Sequence, residues 1–392
     1  MRLAPLLSLL AAPVFAETPE RLDLLSFAQG ALPVAIGARA EALRVDMDLA
    51  TALIDGSAQK FGVLRKPAAA DDVIEITYAL PAPTRFDRFA VPAVSETPSP
   101  SQTFFAQVEI LGAAAEGGPF TPLASGTLTE AEMIELPVPA DAPGVTHVML
   151  RLSGGLDIQR DATFFEFSEI IGNGVQDRAA LVTSFGGVWG GRGVKLELAQ
   201  DGAVVSGCYD AGGTLEGTVS GNVLRALGQD PAGIPAQFIL VADGEAGFRG
   251  LRSSNGAPFR AYNGAPSGRT PTCTAPEAPS LGCGSIVHGI SFEFDSAAIR
   301  PGSEALLTEL HDGLKSAQGQ ITITGHSSSE GSAAYNRALS QRRAEAVVAA
   351  LAALGLPPGQ MSAAGKGEDE PIATNDNEAG RSLNRRVEIS CG

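Results

Sequence analysis

The hydrophobic pattern changes once along this chain. Up to about residue 268 apolar residues alternate with polar ones or form short runs between Gly and Pro; beyond about residue 285 helical spacing joins the alternation. Val73-Ile74-Glu75-Ile76-Thr77-Tyr78, Phe89-Ala90-Val91, Phe104-Phe105-Ala106-Gln107-Val108-Glu109-Ile110 and His147-Val148-Met149-Leu150-Arg151-Leu152 read as strands. They predict an antiparallel β-sandwich over residues 17–174. Residues 175–268 differ in texture. After Gly187-Val188-Trp189-Gly190-Gly191-Arg192-Gly193, short apolar runs follow at near-regular intervals, and Asp201-Gly202 and Asp243-Gly244 are hairpin signals. A small meander sheet or barrel is expected. Trp189 belongs in its core, with a sugar-stacking platform as the alternative.

Residues 269–284 are rich in Pro, Gly and Ser and read as a linker. Beyond it a strand over 290–294 precedes Ser303, a plausible N-cap for a helix carrying Leu306, Leu307, Leu310 and Leu314. Ile321-Thr322-Ile323-Thr324 is a strand that Gly325 ends, and a polar loop leads to a second helix. On that helix Leu339, Val347 and Leu351 share a meridian with Arg343, while Asn336, Ser340 and Arg343 share a face. The helix should stop at Gly355, ahead of Pro357-Pro358, and a strand at Val387-Glu388-Ile389 closes the unit. This order predicts a two-layer α/β sandwich. A guanidinium among apolar residues is costly unless it meets an anion, so Arg343 points to an anionic ligand. A salt-bridged surface helix would explain any single arginine, but not the set.

Together these residues resemble the OmpA-like peptidoglycan-binding family. The matching pieces are Phe292-Glu293-Phe294-Asp295-Ser296-Ala297, Gly325-His326, Asn336-x-x-Leu339-Ser340-x-x-Arg343-Ala344, Gly365-x-Gly367, Pro371, Asn375 and Gly380-Arg381-x-x-Asn384-Arg385-Arg386-Val387-Glu388. The resemblance covers about residues 285–390. It implies a module that grips the peptide stem of peptidoglycan at its diaminopimelate, with an aspartate for the ammonium and the helix arginine for the carboxylate. Arg343 matches the arginine; where the aspartate should follow His326 by two residues this chain has Ser328, with Glu330 two residues on. The expected wall-binding residues are Ser328, Glu330, Asn336, Ser340, Arg343, Arg385 and Arg386, in a groove between the 327–331 loop and the start of the second helix. Weaker binding than in relatives carrying the aspartate is expected. In the fold so implied the first and last strands run antiparallel, which would pair Cys283 with Cys391. Cys208 and Cys273 would then form a second bridge, unless Cys208 is a buried free thiol.

A second resemblance, to discoidin-like, galactose-binding-like jelly rolls, rests on Leu53-Ile54-Asp55-Gly56, Asp87-Arg88-Phe89, Val108-Glu109-Ile110-Leu111-Gly112 and Phe165-Glu166-Phe167-Ser168-Glu169-Ile170-Ile171-Gly172. It implies loops that bind sugars or lipids, with Asp55 near a structural calcium; a plain Asp55-Gly56 turn is the alternative.

Arg2, the apolar run over 3–14 and Val14-Phe15-Ala16 read as a signal peptide over 1–16, cleaved before Glu17. Without a cysteine there, no lipid anchor is expected, and no later run is long enough for a membrane helix. The expectation is an exported protein of the periplasm, associated with the cell wall and outer membrane. A net charge of −16 disfavours nucleic acid. The four cysteines are too scattered for a zinc framework, and no cofactor or metal is expected. Gly325-His326-Ser327 resembles a hydrolase nucleophile elbow, but Ser329 stands where a small residue, usually Gly, is needed, and His326 is the last histidine. A triad in hydrolase order is thereby lost, and a stator-like role would need a membrane helix. The sequence therefore reads as a non-enzymatic envelope protein. Its C-terminal domain (285–392) binds wall peptide, and its β domains have outer-membrane proteins or glycans as candidate partners. The alternative is a periplasmic protein-interaction scaffold whose wall binding went with the aspartate.

Overall fold

The computed structural model describes residues 21–57, 62–65, 73–93, 102–129, 132–154, 164–210, 212–273, 281–293 and 295–392. The expected signal peptide, Phe294 and part of the expected linker lie outside these residues. The fold is mostly β, in several sheets, with few helices.

The N-terminal part builds a seven-stranded sheet and a three-stranded one. Its central element is a single strand, Val73–Val91, which contains both runs that the sequence reads as separate strands. Pro81 and Pro83 cannot donate to a ladder, and they sit where pairing with Val145–Ser153 shifts between Ala79 and Thr84. The first half pairs with Leu32–Ile36 and the second with Ile171–Gln176, so one strand serves two sets of neighbours. The run from Phe104 to Ile110, by contrast, is split between sheets: Gln102–Phe104 joins the small one and Gln107–Ala113 the large one. Two of the quoted discoidin-like pieces meet in space. Ile170 donates its N–H to Leu53 O at 3.1 Å, and Gly56 N donates to Glu169 Oε1 at 2.5 Å. Ser57 N donates to Asp55 Oδ1 at 2.9 Å, which is turn chemistry.

Residues 187–266 form a nine-stranded meander that curls, because its last strand, Ala265–Pro266, returns to pair with the first, Gly187–Gly191. Asp201-Gly202 makes a tight hairpin, with Gly202 at φ +51°. Asp243-Gly244 likewise opens a hairpin, with Asp243 paired to Gly247 across a short 3-10 turn. Trp189 is a core residue: its Nε1 donates to Phe185 O at 2.8 Å, and its ring meets Phe248 edge-on. The described end of the Pro-rich stretch is tied down, since Glu197 accepts from Thr272 N, Thr272 Oγ1 and Cys273 N. Cys208 is disulfide-bonded to Cys273.

The C-terminal part is a four-stranded sheet with helices Glu304–Leu314, Ala333–Leu354 and Glu378–Asn384. Its first strand is Ile286–His288, earlier than the sequence suggests; Phe292 makes only one bridge, to Ile299. That strand runs antiparallel to Arg386–Cys391, and Cys283 is disulfide-bonded to Cys391 with Cα atoms 5.5 Å apart. Leu306, Leu307, Leu310 and Leu314 share one core cluster with Val347 and Leu351, and Leu339 is buried as well. Ser303 does precede its helix but makes no side-chain cap; its Oγ accepts from Ser291 N at 3.0 Å, fastening the preceding loop. The long helix lies flat on the parallel strands Ile321–His326 and Met361–Gly367, because Gly325 and Gly365 leave no side chain between them. A Cβ at Gly325 would stand 2.4 Å from Ser340 O, and one at Gly365 2.3 Å from Gln341 N.

The three regions share apolar contacts. One core cluster joins N-terminal residues such as Phe27 and Leu53 to Val223, Ile239 and Phe259 of the meander and to Ala379 and Leu383 of the last helix. Thr218 Oγ1 donates to His288 O at 2.8 Å and accepts from His288 N at 3.0 Å, joining the meander to the C-terminal sheet.

Candidate functional site

The 327–331 loop leaves the strand Ile321–His326 with Ser328 and Glu330 engaged, while the buried Ser327 Oγ has no hydrogen-bond partner among the described residues. Ser328 is fully buried and its Oγ donates to Glu330 Oε2 at 3.4 Å. Asn336 is also buried; its Nδ2 donates to Ser328 O at 3.3 Å and to Glu368 Oε2 at 2.5 Å. Ser340 Oγ accepts from Gly367 N at 2.8 Å, bridging the helix to its neighbouring strand. The loop and the start of the helix are therefore fastened together by Asn336, and these three side chains have structural partners.

Glu330 stands at the edge of an arginine cluster. Its Oε2 lies 3.5 Å from Arg381 Nε and 3.8 Å from Arg385 Nη1. Glu378, almost wholly buried, pairs with both guanidiniums from the other side, at 3.1 Å from Arg381 Nε and closer still to Arg385 Nη2. The N-terminal part reaches this cluster through Gln29, whose Nε2 donates to Glu378 Oε1 at 3.4 Å, and through Gly56 O, which accepts from Arg381.

Arg343 points elsewhere. Its guanidinium lies over the Phe292 ring, 5.0 Å from the centroid, and Nε donates to Ser296 O at 3.3 Å. Nearby, Tyr335 OH donates to Asp295 Oδ1 at 2.6 Å, which ties the Phe292–Asp295 stretch to the helix. Arg386 is buried against Glu388, with Nε 2.7 Å from Oε1, and donates to Glu370 O at 2.9 Å.

A cavity of about 240 Å³ collects Arg343, Arg385 and Arg386 beside Gly325, His326 and Phe292. Ser328, Glu330, Asn336 and Ser340 do not line it. The space thus collects Arg343, Arg385 and Arg386 of the predicted set and not its loop residues. His326 is buried, and its Nε2 comes within 3.6 Å of Glu388 Oε1, too far for a hydrogen bond. Burial and the Arg386 charge hold its pKa below the usual histidine range, against the pull of Glu388. Chemically the cavity offers guanidinium forks and an aromatic face, which suits a carboxylate on a short organic head group.

Sequence reasoning missed four contributors. Phe292 was visible as part of a motif but not as the platform under Arg343. Arg381 and Glu378 form the clamp on Glu330 and Arg385, and their i, i+3 spacing on one helix was the available signal. Arg225, contributed by the meander, had no sequence signal at all. Among the described residues, the one grouping with metal-ligand spacing is Glu197, Cys208 and Cys273, and its cysteines are spent on the disulfide.

Residues 291–385 match the OmpA family. The chain is 40% identical over 102 residues to outer membrane porin F of Pseudomonas fluorescens, an alignment covering 26% of this chain and 31% of that protein. It therefore spans less than a third of that relative. The crystal structure of the peptidoglycan-associated lipoprotein from Burkholderia pseudomallei is 38% identical and aligns over 26% of this chain and 88% of that one, with a TM-score of 0.25. The chain also aligns with the crystal structure of the C-terminal domain of a chitobiase from Bacteroides fragilis, 13% identical over 41% of this chain and 100% of that one, with a TM-score of 0.30. The chain thus carries an OmpA-family domain at its C-terminus.

Proposed function

We propose that this is a non-enzymatic cell-envelope protein that docks on peptidoglycan through its C-terminal domain, residues 285–392, and works in the periplasm at the wall and outer membrane. A discoidin-like β-sandwich over 17–174 and a β-meander over 175–268 are its modules for sugar, lipid or protein, followed by the 269–284 segment. In this reading Arg343 takes a carboxylate of the peptide stem, and Arg385 and Arg386 supply the positive field around it. The observation that carries it is the convergence of those three arginines with Gly325 and His326 on one cavity of an OmpA-family domain. A wall-binding role is also in keeping with the name of the peptidoglycan-associated lipoprotein it resembles. Among the described residues no helix is long and apolar enough to cross a membrane.

The scaffold reading, with wall binding lost, is favoured by one observation. Ser328 is buried, and Glu330, the nearest carboxylate to stand in for the family aspartate, is held by Arg381 and Arg385. Co-sedimentation of the full chain with purified sacculi separates the two. Docking predicts that the protein pellets with sacculi and is displaced by soluble stem peptide; a chain that stays in the supernatant belongs to the scaffold reading.

A further inference from the structure

The cavity that holds Arg343 is not walled by the OmpA-family domain alone. Leu24, Gln29 and Asn173 close it from the N-terminal part, and Arg225 comes from the meander strand Val223–Gln229. Arg225 is 6% exposed. Its Nη2 donates to Ala28 O at 2.5 Å, and among the described residues no carboxylate stands within ion-pair distance of it. Burial lowers its pKa to about 10, and the Arg385 charge adds to the effect while Glu378 opposes it.

A guanidinium this deeply buried is held at a cost that an anion would offset. Glu378 acts on it only from beyond ion-pair distance. Six arginines line the cavity against two carboxylates, Asp87 and Glu293. Asp87 is already paired with Arg21 at 3.0 Å and Glu293 lies 3.8 Å from Arg300. Arg385 and Arg386 are taken up by Glu378 and Glu388 behind the lining, so the charge of Arg225 has no ion-pair partner among the described residues, beside a space sized for an amino-acid head group rather than a glycan strand.

We propose that Arg225 is a ligand-binding residue, and that the cavity takes a carboxylate-bearing amino-acid end whose ion pair is completed by the meander. The inference rests on the peptidoglycan reading and deepens it. Wall recognition becomes a property of the assembled chain, because one cation of the site comes from outside the OmpA-family domain.

The test uses the full chain as wild type, Arg225→Gln, Arg225→Met and Arg225→Lys, with free meso-diaminopimelate and purified sacculi as probes. Removing an uncompensated buried charge should leave the Gln and Met variants melting at or above wild type without ligand. The same variants should lose the rise in melting temperature that diaminopimelate gives wild type, and bind sacculi at least about tenfold more weakly. Arg225→Lys, which keeps the charge but not the fork, should fall between. If Gln and Met melt lower yet hold diaminopimelate and sacculi as wild type does, Arg225 is structural and the inference falls. If both variants unfold, Lys decides: weakened binding at wild-type melting supports the site, and wild-type binding removes it. A wild-type chain that ignores sacculi defeats the docking reading instead. The cavity then stands or falls on an Arg225-dependent shift with diaminopimelate alone.

Discussion

Arg343 and Phe292 form a stacked pair, the guanidinium carbon 5.0 Å from the ring centroid. The guanidinium sits over the ring while its Nε donates to Ser296 O. Such a contact is worth about 0.5–2 kcal/mol when partly desolvated. Phe292→Ala should therefore weaken sacculus binding by roughly two- to thirtyfold with little change in fold. Arg343→Lys should cost more, since an ammonium can neither stack flat nor bind bidentately. Co-sedimentation titrations of both variants check the order; equal losses, or none, would remove the stacked arginine from the site.

Ser328→Asp supplies the carboxylate that the family resemblance expects two residues after His326. Charge-assisted hydrogen bonds are about twice as strong as neutral ones, so about 1–2 kcal/mol, or roughly five- to thirtyfold in affinity, is the expected gain. Ser328 is fully buried and its hydroxyl meets Glu330, so the new charge should act fully only when Glu330→Gln is added. Isothermal titration of diaminopimelate into the single and double variants reads this. A double variant no tighter than wild type would place the ammonium contact elsewhere.

Glu378 is 4% exposed and pairs with both Arg381 and Arg385. Removing one partner of a buried ion pair costs about 3–5 kcal/mol, because the remaining charges are left uncompensated. Glu378→Gln should show that loss in urea unfolding. It should also loosen the N-terminal contacts through Gln29 and Gly56, which limited proteolysis would detect.

Breaking Cys283–Cys391 opens a bridge between residues 108 apart in sequence. In the chain-entropy model a loop of about a hundred residues is worth roughly 4–5 kcal/mol. The Cys283→Ser, Cys391→Ser double variant should melt well below wild type. Non-reducing peptide mapping of the wild type should recover Cys283 with Cys391 and Cys208 with Cys273, and a Cys273–Cys283 peptide would refute the arrangement.

Asp23 supplies a pH signature. Its Oδ1 accepts from Gly172 N and Leu25 N, while Oδ2 is buried without a partner among the described residues. Burial, with the Glu378 charge adding, raises its pKa to about 7 against the lowering pull of the Gly172 N–H. A carboxyl whose folded pKa is raised favours the fold while protonated, so its contribution is full below about 3.8 and fades as pH climbs through about 7. Asp23→Asn mimics the protonated form and should out-melt wild type at pH 8, with the gap closing toward pH 4. A gap independent of pH would mean that Asp23 titrates normally.

The α/β unit was legible because its signals are local. Gly325, Gly355 and the leucines of the two helices each mark an element by spacing or by backbone conformation, and the motif from Gly380 to Glu388 pins the last strand. The N-terminal strands were legible as strands but not in extent, since Pro81 and Pro83 read as a break and proved to be a shift in pairing within one strand. The arginine motif likewise marked Arg343, Arg385 and Arg386, though not what stands around them.

What the amino-acid order determined by itself is whatever depends on neighbours within a turn or a strand. That includes the β texture up to about residue 268, the helix faces, the four cysteines and the arginine pattern. Tertiary structure alone decided which groups meet across hundreds of residues. Burial locks Ser328, Asn336 and Ser340 into fastening the loop, and packing of the meander brings Arg225 to the cavity that holds Arg343. The two arginines are 118 residues apart in sequence, 343 less 225, and no periodicity links them. They meet because Thr218 and His288 join two sheets and one apolar core runs through all three regions, and a long-range contact of that kind exists only once the surfaces that bury it have formed.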